Sequence, residues 1–175
     1  MSSIGKRIND VLPGLANAKV LKSREYEMKW DSGAPTGVKV REQELDLDGD
    51  GQTDVRAERR TDLKTGRFDD SFEVTNSTRV NHDKVLFHTD ANGVVRAEYF
   101  NDRLPNGQIG RQVNLGDTNK DGKVDYKSVH LPDGQYFERD DSDGDGQIDR
   151  ERSIDAQGKV SEKKLITDSF FEDEN

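Results

Sequence analysis

Residues 117–140 read DTNKDGKVDYKSVHLPDGQYFERD, and residues 141–164 read DSDGDGQIDRERSIDAQGKVSEKK. The two stretches share one plan. Each opens on an acidic turn with glycine at its sixth position, Gly122 or Gly146. A short run follows, then a second turn, Pro132-Asp133-Gly134 or Ala156-Gln157-Gly158, then another short run. Turns alternating with runs of strand length are the pattern of stacked hairpins.

The rhythm extends outward from this pair. Glycines recur at Gly51, Gly66, Gly93, Gly107, Gly122, Gly134, Gly146 and Gly158. The long interval between Gly66 and Gly93 has room for a further turn near Asn81-His82-Asp83. Two residues after each glycine stands a β-former: Thr53, Phe68, Val95, Ile109, Val124, Tyr136, Ile148 or Val160. The spacing predicts a mainly β fold, an antiparallel meander of roughly eight to ten strands of ordinary length. Its units are double hairpins of about 24 residues, some joined by acidic loops. Ile4, Ile8, Val11, Leu12 and Leu15 have helical spacing and predict a short N-terminal helix. Ser2 or Ser3 would cap it, and Pro13-Gly14 would break it. The expected organisation is a helical segment over 1–20, a β-repeat domain over 21–166 and an acidic aromatic tail over 167–175.

Composition limits the core. Of the 175 residues, 30% are hydrophobic and 36% charged, so the sheet must be thin and its strands polar on much of their surface. Cross-strand Arg/Lys to Asp/Glu pairs are expected, each contributing a few tenths of a kcal/mol. The net charge of −9 argues against nucleic acid as a partner, because a phosphate backbone needs a basic face. No cysteine is present, which excludes disulfides, thiolate metal sites and a cysteine nucleophile. No apolar run reaches the roughly 18 residues of a membrane span, and no secretory signal pattern is seen.

The acidic turns carry the chemistry. Three stretches have the form Asp-x-Asp/Asn-x-Asp-Gly-x-x-Asp, beginning at Asp46, Asp117 and Asp141. Alternating acids on a tight loop point oxygens inward, and a hard dication such as Ca2+ takes six to eight oxygens at about 2.3–2.6 Å. Mg2+ fits less well because it demands a smaller octahedral shell. Up to three Ca2+ ions are therefore expected. The pattern argues against EF-hands, which need a bidentate Glu at the twelfth position, where this chain has Ala57, Ser128 and Arg152. The missing acid points to modest affinity.

The loops resemble the β-hairpin calcium loops of integrin alpha-chain FG-GAP and VCBS-type repeats, in which such a turn joins two strands. The resemblance covers three nine-residue loops of the chain. It implies ligands at Asp46, Asp48, Asp50 and Asp54 with the Gln52 carbonyl in loop 1. It implies Asp117, Asn119, Asp121 and Asp125 with the Lys123 carbonyl in loop 2. In loop 3 it implies Asp141, Asp143, Asp145 and Asp149 with the Gln147 carbonyl. Asn119 leaves loop 2 one charge poorer, so loop 2 is expected to be the weakest site.

Catalytic patterns are scarce. His82, His88 and His130 are widely separated and form no zinc motif. Neither a nucleophile elbow nor a phosphate loop is found. Adjacent acids such as Asp69-Asp70 and Asp140-Asp141 would face opposite sides of a strand. The expected function is a non-enzymatic, calcium-stabilised β-repeat protein with a structural or binding role, as a surface, secreted or virion component. The alternative is a hydrolase or toxin-like enzyme on a β scaffold with purely structural calcium. A protein partner is expected at the N-terminal helix, at an open sheet face or at Phe170 and Phe171 of the tail. An extracellular or virion setting suits modest calcium affinity.

Overall fold

A computed structural model describes residues 3–75 and 82–167. They contain a short helix α1 (Ile8–Val11), a 3-10 turn (Leu15–Asn17) and eleven strands. The first five strands are β1 (Lys19–Lys29), β2 (Pro35–Asp46), β3 (Val55–Asp62), β4 (Phe68–Val74) and β5 (His82–Thr89). The rest are β6 (Val95–Arg103), β7 (Ile109–Gly116), β8 (Tyr126–His130), β9 (Tyr136–Asp140), β10 (Ile148–Ile154) and β11 (Val160–Thr167). Strand order follows chain order, so the fold is mainly β and its topology an antiparallel meander, as the turn rhythm predicts. The count exceeds ten because a hairpin at Gly33, outside that rhythm, joins β1 to β2.

The repeat-phase glycines sit in turns for a shared reason. All eight take positive φ, between 71° and 92°, where a Cβ is disfavoured. In four of the five simple turns the glycine N–H donates three residues back, as from Gly93 to the Asp90 carbonyl and from Gly158 to the Asp155 carbonyl, both at 2.9 Å; Gly66 donates four back, to the Asp62 carbonyl at 2.8 Å. Side chains complete these turns: Asp90 Oδ1 accepts from Asn92 N–H at 2.8 Å, and Asp155 Oδ1 accepts from Lys159 N–H at 2.8 Å. Six of the eight β-formers then open a strand. Thr53 and Val124 do not, because their strands start two residues later, at Val55 and Tyr126.

The chain divides into two compact units. The N-terminal unit holds α1, β1–β4 and residues 84–95; the C-terminal unit holds residues 3–5 and 96–167. In the N-terminal unit, cross-strand rows build one apolar face. Leu45, Val55, Val74 and Val85 stand in register, as do Gln43, Ala57, Phe72 and Phe87 in the next row. Val55, Val85 and Phe87 are almost wholly buried. Ile8 and Leu15 line a cavity on this face with Leu45, Ala57 and Phe72, so the N-terminal segment covers it.

In the C-terminal unit the apolar row is Phe100, Val113, Val129 and Phe137, which passes into Ser153 on β10 and Ser161 on β11. The core thus fades toward the last strand. Ion pairs hold what apolar contact does not. Arg139 meets Glu151 at 2.7 Å and Arg150 meets Asp140 at 2.5 Å; in the N-terminal unit Arg59 likewise grips Asp70 with two bonds of 2.7 Å. Such half-exposed pairs contribute up to about 1 kcal/mol each.

The N-terminal helix is shorter than its apolar spacing predicts. It spans four residues after an Arg7 cap that lacks a side-chain bond, and Ser3 does not cap it. The Ser3 hydroxyl instead donates to the buried Glu98 carboxylate. Pro13-Gly14 ends the helix as expected, with Gly14 at φ 90° leading into the 3-10 turn. The turn expected near residue 81 and the tail with Phe170 and Phe171 lie outside the described residues; the backbone at His82 already belongs to β5. No helix among the described residues is long and apolar enough to cross a membrane.

Candidate metal centres

Each acidic loop joins two neighbouring strands: loop 1 β2 to β3, loop 2 β7 to β8, and loop 3 β9 to β10. The three are built alike. The first Asp accepts backbone N–H groups from inside the loop. Asp46 takes Gly49 at 2.6 Å and Gly51 at 2.9 Å, and Asp141 takes Gly144 at 2.7 Å and Gly146 at 2.8 Å. The ninth residue reaches back across the turn. Asp54 accepts from Leu47 N–H at 2.7 Å, and Asp149 from Ser142 N–H at 2.8 Å and its hydroxyl at 2.6 Å. These bonds aim the carboxylates inward before any ion arrives.

They also hold charge on those carboxylates. Burial pushes the Asp46 carboxyl up, but the N–H groups of Gly49, Gly51 and Asp48 outweigh it and set the group below the usual range. The Ser142 hydroxyl, then its N–H, lowers Asp149 in the same direction.

Two loops gather three carboxylates each. Asp46, Asp48 and Asp54 each offer an oxygen within 4.8 Å of the others, and so do Asp141, Asp143 and Asp149. Two ligands on opposite sides of an ion at about 2.4 Å are separated by about 4.8 Å, so each triplet could hold a metal ion. Asp50 and Asp145 stand apart from the triplets. Their Oδ1 atoms accept from the N–H of Gln52 at 2.7 Å and Gln147 at 2.8 Å.

Loop 2 has the same frame but no triplet among its described carboxylates. Asp117 accepts from Asp121 N–H at 3.1 Å and Gly122 N–H at 2.9 Å, while Asp125 takes the N–H and hydroxyl of Thr118. Asn119 bonds Asp121 N–H at 2.9 Å, and Asp121 bonds Lys123 N–H at 2.8 Å.

Two features escape a reading of the motif's acids. The fourth position, like the sixth, needs positive φ: Gly49 has 85° and Gly144 has 78°, but loop 2 places Lys120 there at 67°. A non-glycine residue in this region costs about 1–2 kcal/mol. Lys120→Gly should therefore stabilise the C-terminal unit by about 0.5–1 kcal/mol, after the added chain entropy of glycine is subtracted. Thermal melting checks it; a lower melting temperature contradicts strain at Lys120. The second feature is the hydroxyl at position two, Thr118 or Ser142, which locks the ninth Asp. That signal is visible in the sequence once the geometry is known.

Among the described side chains neither His88 nor His130 joins a triplet: His88 is exposed on β5, and His130 lies against Tyr136 with ring centroids 4.5 Å apart and planes tilted by 52°. No family model, curated protein or solved structure matches the chain.

Proposed function

We propose that this chain is a calcium-stabilised β-repeat protein with a structural or binding role, and that its ions act as ties of the fold. The observation that carries this reading is the pair of preorganised Asp triplets, each closing a hairpin of a sheet with little apolar core. A site that exists only in the folded chain turns binding energy into folding energy. The resemblance of the loops to FG-GAP and VCBS-type hairpins supports the same role. It assigns the Gln52 and Gln147 carbonyls, with Asp50 and Asp145, to the remaining coordination positions.

Ca2+ suits the sites better than Mg2+ because Mg2+ demands a near-ideal octahedral shell at about 2.0–2.1 Å and keeps several of its waters. Affinity in the range of about 10⁻⁴ to 10⁻³ M is expected, as for extracellular modules. A surface, secreted or virion setting fits that range. Calorimetric titration tests the assignment. Calcium should bind with saturation, Asp48→Asn should weaken one class of site by at least about tenfold, and magnesium should compete poorly. Equal affinity for both metals, or no heat with calcium, contradicts the proposal.

A further inference from the structure

Loop 2 differs from its counterparts in what neutralises it. The Arg96 guanidinium donates to Asp117 Oδ2 at 2.8 Å. The Asp117 side chain has 0% exposure, while Arg96 keeps 23%. The two are also tied through the backbone, since Asp117 N–H donates to the Arg96 carbonyl at 2.8 Å. Strand β6 thus presses a fixed cation onto the first liganding position of the loop.

The N-terminus adds a second constraint. Gly5, at φ 81°, lies backbone to backbone on Gly122, and a Cβ there would meet the Gly122 carbonyl oxygen at 2.7 Å. The Ser3–Glu98 bond anchors this segment two residues along β6 from Arg96. Asp117 and Asp125 are buried at 4% and 5%, whereas Asp141 and Asp149 in loop 3 are half-exposed. A dication entering loop 2 would share a carboxylate with a cation already bonded to it, and like charges at such distances repel by several kcal/mol near a protein surface.

We propose that Arg96 is the resident cation of loop 2: it locks the loop without metal and leaves the chain with two metal centres, at loops 1 and 3. Only the count of two rests on the calcium reading above.

Calcium titration of the full chain, with amide hydrogen exchange in calcium and in chelator, tests this. The wild type should bind two ions, Asp117→Asn should still bind two, and Arg96→Gln should gain a third. Three ions on the wild type, or an ion lost on Asp117→Asn, overturns the proposal. The Gly122 N–H, held by Asp117, should exchange equally slowly with and without calcium. The Gly146 N–H should exchange at least about tenfold faster in chelator. Protection of Gly122 that appears only with calcium overturns the lock, and this readout needs no variant. A wild type that binds no ion sinks the calcium reading, while Gly122 protection in chelator still decides the role of Arg96.

Discussion

Chelation of divalent cations is expected to lower the melting temperature of each unit by about 10–20 °C relative to saturating calcium. At a concentration about 100 times Kd, one site that exists only in the folded state adds about 2.7 kcal/mol. A unit of this size shifts by about 4–8 °C per kcal/mol. Loop 1 lies in the N-terminal unit and loop 3 in the C-terminal unit, so both should respond. Asp46→Asn or Asp54→Asn should abolish the calcium response of the N-terminal unit alone, and Asp149→Asn that of the C-terminal unit. Scanning calorimetry at matched ionic strength separates binding from charge screening. A melting temperature equal in calcium and chelator contradicts the tie role.

Phe87→Ala is expected to cost about 3–5 kcal/mol, a large share of the stability of the N-terminal unit. Phe87 is 1% exposed, is the largest of the fully buried side chains, and faces Phe72 across β4 and β5. Small units have only about 5–15 kcal/mol of total stability. Leu63→Ala, at a residue 52% exposed in the β3–β4 turn, should change stability by less than about 0.5 kcal/mol. Urea unfolding of the two variants side by side checks the contrast. Equal, small effects would place the stabilising contacts elsewhere than this face. Saturating calcium should partly restore Phe87→Ala, because ion and core stabilise the same folded state.

The meander was legible because its turns are chemical. Glycine at positive φ followed by a β-former recurs with too regular a spacing for a helix, and each such glycine does occupy a turn. Strand starts after loops 1 and 2 were less legible. The ninth Asp bonds the N–H at position two in all three loops, yet β10 starts at Ile148, so that bond does not set where β3 and β8 begin. The N-terminal helix misled for a different reason. Ile4 and Ile8 share a helical spacing, but Gly5 turns the backbone at φ 81° between them, and each isoleucine is buried in its own unit. Long-range partners were out of reach. Nothing local marks Ser3 for Glu98 or Arg96 for Asp117: the β6–β7 register brings Arg96 to Asp117, and the path of the N-terminal segment brings Ser3 to Glu98. In loops 1 and 3 the motif's first, third and ninth acids come together, while Asp50 and Asp145 accept from the N–H of Gln52 and Gln147.

A crystal structure grown in calcium, with anomalous scattering collected at long wavelength, tests the central claim most directly. Anomalous peaks are expected amid Asp46, Asp48 and Asp54 and amid Asp141, Asp143 and Asp149, with oxygens at about 2.3–2.6 Å. Both triplets free of anomalous density in saturating calcium would contradict the account.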